Sequence, residues 1–237
     1  MLIQWQEQNE TDVPADDGWL GSWELATLAR MRFARRRAEW RLGRWTAKSV
    51  VSAYLRLPAT LETLRELEIR SAPSGAPEVF FANGLLGLTL SLSHRSGLAV
   101  CAVTRARRLG PALGCDLERI EPHSDLFLAD YFTIEEQSLV RDSASGDRCR
   151  LVAVLWSAKE SLLKALHLGL RVDTCSVNVY ARIAACCRQH RVVPICASST
   201  RRSVLFADGG AKAPASSVRW WSFRFLEGSL RGRGASV

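Results

Sequence analysis

Two carboxylates stand at i and i+2 in Gly114-Cys115-Asp116-Leu117-Glu118. On a strand, residues two apart point to the same face, so Asp116 and Glu118 would project together while Cys115 and Leu117 turn away. Adjacent carboxylates repel unless a cation or basic side chains lie between them. Gly114 would let a ligand or another backbone come close. An exposed strand end carries such a pair just as readily, so the pair gains chemical meaning only with a third oxygen donor. Mg²⁺ is held through a few carboxylates completed by water and substrate phosphate oxygens. Glu160 is the candidate for the third.

Glu160 lies in Trp156-Ser157-Ala158-Lys159-Glu160-Ser161-Leu162-Leu163-Lys164-Ala165-Leu166, a run without Gly or Pro and rich in Ala, Leu, Lys and Glu. That composition predicts a helix over 155–168, ending near Gly169. Ser157, Glu160, Ser161, Lys164 and His167 would share one face, with Leu155, Ala158, Leu162, Ala165 and Leu166 opposite. Lys159 falls about 100° round from Glu160, at the edge of the polar stripe. Read alone, this is a surface helix with an i, i+4 Glu160–Lys164 pair. Ser91-Leu92-Ser93-His94 ends a strand at a turn of Arg95, Ser96 and Gly97. There His94 is either a local hydrogen-bonding residue or, beside hydroxyls and Arg95, a phosphate contact.

The elements that must position these groups are mixed. Helical patterning runs from Gly21 to Leu57 and predicts two helices, the second covering roughly 35–57 and stopping before Pro58. A short helix is expected over 61–67, a loop over 71–77 and strands over 79–82, 88–93, 98–105 and 112–120, with a turn at Asn83-Gly84. Residues 126–142 read as helical, with Thr133 and Glu136 spaced as a capping box. Strands are expected over 177–183, 192–196 and 218–225, a possible edge strand at 4–6, a loose insertion over 198–217 and a frayed tail beyond about 228. Helices and strands without βαβ regularity predict an α+β fold.

The chain has 237 residues, 47% hydrophobic and 24% charged, enough for one large domain or two modest ones. No apolar run approaches the roughly 20 residues of a bilayer span, and the polar, acidic first 17 residues do not read as a secretory signal, so a cytoplasmic protein is expected. Seven cysteines, an odd number without Cys-x-x-Cys, point to reduced thiols; Cys101 and Cys115 read as small buried hydrophobes. A net charge of +8 fits nucleic acid, a membrane surface, a phosphate-rich small molecule or an acidic protein. The basic residues crowd into Arg30, Arg32, Arg35, Arg36, Arg37, Arg41, Arg44 and Lys48, a segment without helix-turn-helix, zinc or ribonucleoprotein signatures. A basic nucleic-acid-binding protein is the rival reading.

Taken in order, Arg36-Arg37-Ala-Glu-Trp-Arg-Leu-Gly43-Arg44, Gly75-Ala76-Pro77, Asn83, Ser91-Leu-Ser93-His94, Gly114-Cys115-Asp116-Leu117-Glu118 and Trp156-Ser-Ala-Lys159-Glu160-Ser-Leu-Leu-Lys164 resemble the 4′-phosphopantetheinyl transferase superfamily. Each element is weak alone; the ordered set, spanning about 30–168, is specific. The length resembles the larger, single-chain class typified by the surfactin-synthetase activator. Ala76 departs from the pattern, standing where many members carry lysine, which leaves one phosphate contact absent or supplied by Arg70.

The resemblance implies two similar α+β halves related by a pseudo-twofold axis, residues 1–108 and 109–237, with the active site between them. It implies transfer of 4′-phosphopantetheine from coenzyme A to a serine of an apo acyl or peptidyl carrier protein of fatty acid, polyketide or nonribosomal peptide biosynthesis, with release of 3′,5′-ADP. Asp116, Glu118 and Glu160 would hold Mg²⁺, or Mn²⁺. Asp116, Glu160 and Lys164 would be catalytic, Glu160 being the candidate base. Arg30, Arg37, Arg44, Gly75, Pro77, Ser93, His94, Lys159 and Lys164 would contact the coenzyme. A monomer is expected, acting on an acidic carrier steered to the basic rim, with no nucleic-acid or membrane partner. A relative that binds carrier but has lost catalysis is disfavoured, because the three acids and Lys164 are all present.

Overall fold

The computed structural model describes residues 3–58, 60–106, 113–168, 172–181, 195–199, 202–208 and 219–225. In chain order they form β1 (Gln4–Asn9), α1 (Ser22–Ala29), α2 (Ala34–Leu55), α3 (Leu61–Glu66), β2 (Leu67–Ser71), β3 (Pro77–Phe81), β4 (Gly84–Leu85), β5 (Leu88–Arg95), β6 (Leu98–Arg105), β7 (Leu113–Glu118), α4 (Asp125–Tyr131), α5 (Ile134–Asp142), α6 (Arg148–Ala165), β8 (Asn178–Ala181), β9 (Ile195–Ser199), β10 (Arg202–Asp208) and β11 (Arg219–Phe225). The mixture is α+β, as expected. The strands build three antiparallel sheets, ordered β1-β6-β5, β2-β3-β4 and β7-β11-β10-β9-β8. No helix among the described residues is long and apolar enough to cross a membrane.

Three expectations need correction. The short helix expected over 61–67 stands at 61–66, but a strand not expected from the sequence follows at 67–71, where Leu67 and Ile69 alternate into the core and pair with Phe81 and Val79. The helical stretch at 126–142 is broken in two at Phe132-Thr133: the Thr133 hydroxyl caps Glu136 and the Glu136 carboxylate returns to the Thr133 N–H, so the capping box starts a new helix. Part of the loose insertion is β10, which pairs with both β9 and β11. The tail beyond about 228, residues 182–194 with Cys186-Cys187, and the expected division near 108 lie outside the described residues.

α2 packs its Ala47, Val50 and Val51 on Leu90, Cys101 and Val103 of β5 and β6 and on Leu67, Ile69 and Val79 of β2 and β3. α6 packs Leu155, Ala158, Leu162 and Leu163 among Leu128, Phe132 and Val140 of α4 and α5 and Val179 of β8. Between these two cores, Val100 and Ala102 meet Leu113, Cys115 and Leu117. Cys101 and Cys115 are fully buried, and burial pushes the Cys115 thiol up to about 11. Both therefore behave as hydrophobes, as read from the sequence.

One arrangement occurs twice. In the first half Glu24, the third residue of α1, accepts from the Gly21 N–H (3.1 Å) and the Ile69 N–H of β2 (3.0 Å), and its carboxylate pairs with Lys48 of α2. Lys48 also donates to the carbonyls of Trp19 and Leu64. In the second half Glu136, the third residue of α5, accepts from the Thr133 N–H (2.8 Å) and the Val179 N–H of β8 (2.7 Å), and pairs with Lys159 of α6 at 2.8 Å. Lys159 also donates to the carbonyls of Thr174 and Val177. Even the ring beside each ammonium recurs, Trp19 at 5.3 Å and Phe132 at 5.6 Å. The two pairs thus share one scheme of bonds.

Candidate functional site

β5 and β7 edge two different sheets, and side chains rather than a ladder join them. The Ser91 hydroxyl accepts from the Cys115 N–H at 2.9 Å, the Cys115 thiol reaches the Ser91 carbonyl at 3.1 Å, and the Ser93 hydroxyl donates to Asp116 Oδ1 at 2.9 Å. α6 lies against β7, where Gly114 leaves room for its backbone. From α6, Lys164 Nζ reaches Asp116 Oδ1 at 2.6 Å and the Cys115 carbonyl at 3.3 Å.

Asp116 and Glu118 are both buried. Burial pushes Glu118 up to about 7, and the neighbouring charges of Asp116 and Glu160 push the same way against Arg95. Glu160 is raised by burial first and then by Asp116, against Lys164 and Arg95. The carboxyls of β7 and α6 thus act on one another. Lys164 is held above the ordinary lysine value: burial alone would lower it, but Asp116, Cys115 and Glu160 together outweigh burial. Among the described residues no three such side chains stand as a finished metal-ligand set. Instead Glu118 meets Arg95 at 3.2 Å, and Asp116 is shared by Lys164 and Ser93. Asp116 Oδ2 nevertheless remains buried without a hydrogen-bond partner. An acceptor in that state costs stability unless something completes it. A divalent cation is what three coupled carboxylates and one open oxygen would suit.

A cavity of about 330 Å³ opens beside this cluster, lined by Ser74, Gly75, Ala76 and Pro77 at the β2–β3 turn, Leu90, Ser91 and Leu92 of β5, Lys164 of α6, and His167 and Leu168 just after it. Gly75 takes φ +89°, a conformation side chains disfavour, so the loop needs glycine there. The expected Gly75, Pro77 and Lys164 therefore meet around one space. His167, the end of the polar stripe of α6, takes a left-handed φ of +55° where the chain turns off the helix and stands at the same wall.

His94 sits beyond Ser93, and its pKa is lowered, by desolvation first and then by the cations of Lys164, Arg44 and Arg36 against Glu39. This cationic corner revises the arginine assignments. Arg37 donates to the Leu28 carbonyl at 3.1 Å inside its own half, and Arg30 is exposed at the end of α1. Arg44 is buried against Trp40, with its Nε unpartnered, and contributes to the field at His94. Arg36, exposed on α2, contributes to the same field, and the sequence carries a signal for it. Gly43, one turn-pair further along α2, is where the helix meets β5: a Cβ there would lie 3.1 Å from Leu92 and 3.6 Å from His94. A residue seven before such a glycine shares its helix face.

Other expectations are also corrected. Lys159 is wholly buried with its three donors taken by Glu136, Thr174 and Val177, so it has none for a pyrophosphate. Ser93, expected on the coenzyme, donates its hydroxyl hydrogen bond to Asp116 and orients that carboxylate. Arg70, offered as a substitute for the missing lysine at 76, is engaged by Glu68 and Asn83 and covers the Phe80 ring.

The sequence pattern of the 4′-phosphopantetheinyl transferase superfamily matches residues 112–202. The chain is 30% identical over 167 residues to the 4′-phosphopantetheinyl transferase HetI of Nostoc sp. (strain PCC 7120), an alignment covering 69% of this chain and 66% of HetI, about two thirds of that protein's length. Among solved structures it is similar to a holo-(acyl-carrier-protein) synthase from Bacillus anthracis in complex with coenzyme A (3′,5′-ADP), with 19% identity and a TM-score of 0.37 over 44% of this chain and 96% of that one. A holo-[acyl-carrier-protein] synthase from Helicobacter pylori in complex with coenzyme A gives 16% identity and a TM-score of 0.31 over 44% of this chain and 100% of that one. With the ordered motifs meeting across one seam, the chain belongs to the 4′-phosphopantetheinyl transferase superfamily.

Proposed function

We propose that the chain transfers 4′-phosphopantetheine from coenzyme A to the serine hydroxyl of an apo acyl or peptidyl carrier protein, releasing 3′,5′-ADP. The observation that carries this reading is the coupling of the buried Asp116 and Glu118 with the half-buried Glu160, beside a cavity that Lys164 borders. The two halves, divided at about residue 108, would each bring one wall: β5 and the Gly75–Pro77 loop from the first, β7 and α6 from the second.

Asp116, Glu118 and Glu160 would hold Mg²⁺, whose charge stabilises the oxyanions developing at a pyrophosphate. Lys164 supplies a fixed cation at the same place. Glu160, whose pKa burial and then Asp116 raise above the ordinary carboxylate value, would accept the serine proton as the oxygen attacks the β-phosphorus. His94, Arg36 and Arg44 form the cationic corner for the remaining phosphates.

The rival reading loses ground on the arginine helix. Arg37, Arg41, Arg44 and Lys48 line its inward side, where Arg41 takes the carbonyls of Pro14, Ala15 and Asp16 and Lys48 takes Glu24. What looks in sequence like one basic stripe is largely internal, with Arg30, Arg32, Arg35 and Arg36 left exposed.

The test is incubation with coenzyme A, MgCl₂ and a panel of apo carrier proteins, scored by intact mass. A gain of one phosphopantetheine on a carrier is expected; no gain on any of them, with a mobility shift on random DNA, would favour the rival. A second expectation concerns pH. A carboxylate must be ionised to bind a cation, and Glu118 holds its proton up to about 7. MgCl₂ should therefore raise the melting temperature more at pH 8 than at pH 6. In the metal-free chain the sign is opposite: a raised carboxyl pKa favours the fold at low pH, and that contribution is lost between the unfolded value of 4.5 and about 7. A Mg²⁺ shift independent of pH would exclude Glu118 from the ion's ligands.

A further inference from the structure

Lys159 and Glu160 are neighbours on α6, yet only Glu160 belongs to the acidic cluster. Lys159 is tied to Glu136, Thr174 and Val177 on the α5 and β8 side of the helix. Ser161, about 200° round the helix from Lys159, presses its backbone against Gly114 of β7. α6 is therefore gripped from opposite sides, and Glu160 lies between the two grips. A helix held on one side only could roll or slide, carrying Glu160 and Lys164 away from Asp116. The twin pair, Glu24–Lys48, grips α2 in the same way, and α2 carries Arg36 and Arg44 toward His94.

We propose that Glu136 and Lys159 are positioning residues that set the rotation and height of α6 for the metal-binding carboxylates, and that Glu24 and Lys48 do the same on α2 for the phosphate-binding corner. One fold device, present in both halves, thus has two different functional outputs. Neither pair touches substrate. The roles of the outputs rest on the transferase reading above, whereas the geometric claim about α6 does not.

The test compares two matched double variants, Glu136→Gln with Lys159→Met and Glu24→Gln with Lys48→Met. Each removes both charges of one pair, so no lone buried ion remains. Melting temperature, MnCl₂ binding to the protein alone by calorimetry, and kcat and KM for coenzyme A are measured on both. The α6 variant should bind Mn²⁺ about tenfold more weakly and lose about tenfold or more in kcat, with KM for coenzyme A little changed. The α2 variant should raise KM for coenzyme A by a similar factor and leave Mn²⁺ binding as in the parent chain. Should a double variant fail to fold, Lys159→Arg and Lys48→Arg, which keep both charges of each pair but change its reach, carry the same comparison. Equal losses in all readouts for both variants, or unchanged Mn²⁺ binding and kcat in the α6 variant, overturn the proposal. If the parent chain modifies no carrier, the transferase reading fails instead, and the Mn²⁺ comparison still decides whether the α6 pair positions the carboxylates.

Discussion

Replacing Asp116 or Glu160 by alanine is expected to lower carrier modification by at least about a hundredfold, the scale on which a single transition-state charge contact acts. The two substitutions differ in what they leave behind. Asp116 is the hub: it takes the Lys164 ammonium at 2.6 Å and the Ser93 hydroxyl at 2.9 Å, and its second oxygen is the open acceptor. Asp116→Ala strips a partner from a largely buried lysine and should lower the Lys164 pKa from its raised position. Glu160→Ala instead removes like-charge repulsion, which should lower the Glu118 pKa from about 7. The metal-free Glu160→Ala protein should therefore melt at least as high as the parent, while Asp116→Ala melts lower. Circular dichroism, intact-mass assays of a carrier and thermal melts with and without MgCl₂ check the pair. Substantial transfer by either variant would remove these residues from the chemistry.

How far the site could be read from sequence depended on whether a residue's partner was local. Asp116 and Glu118 were legible because a two-residue period in a strand fixes their common side. Lys164 was legible because four residues on a helix return to the face of Glu160. The Thr133–Glu136 capping box was legible too, being a local motif, but the break it makes in the helical run shows only in the structure. Lys159 went wrong because periodicity placed it at the edge of a polar face, and only the return of Thr174 and Val177 beneath α5 shows that edge to be sealed. The arginine run failed for a related reason. Arg37, Arg41, Arg44 and Lys48 do share one helix face, but its acceptors are Leu28, the carbonyls of 14–16 and Glu24, none close in sequence. Charge on a helix says that a counter-group is required, not whether that group is solvent, ligand or the chain itself.

The twin pairs show the same limit at the scale of the fold. Glu24–Lys48 and Glu136–Lys159 share no short motif, so no repeat is visible in the sequence. What recurs is a set of bonds: the third residue of one helix accepts from its own cap and from a strand N–H 45 residues on in one copy and 43 in the other. In the first copy burial raises Glu24 and lowers Lys48, with each partner opposing the shift. Such a pair is weak evidence for stability, because desolvation offsets much of the attraction. Its value lies in fixing one register of helix on sheet.

Gly114→Ala should be nearly as damaging as loss of a carboxylate, although Gly114 carries no functional group. A Cβ there would overlap the Ser161 carbonyl oxygen and lie 2.8 Å from its carbon and 3.1 Å from the Ala165 nitrogen. These are backbone atoms of α6, so no side chain can turn aside; the helix and β7 must part. Overpacking of this kind typically costs about 1–3 kcal/mol. For a chain of this size that is a fall of roughly 2–10 °C in melting temperature. The larger effect falls on the reaction. Glu160 immediately precedes the displaced Ser161, and Lys164 immediately precedes Ala165, whereas Asp116 stays with the strand. A displacement of about 1 Å between them can lower the rate about a hundredfold. Gly146→Ala is the matched control, since a Cβ there meets nothing within 4 Å. It should leave both melting temperature and transfer unchanged. If Gly114→Ala kept its rate within about twofold of the parent, close approach of β7 and α6 would not be what brings the carboxylates and Lys164 together.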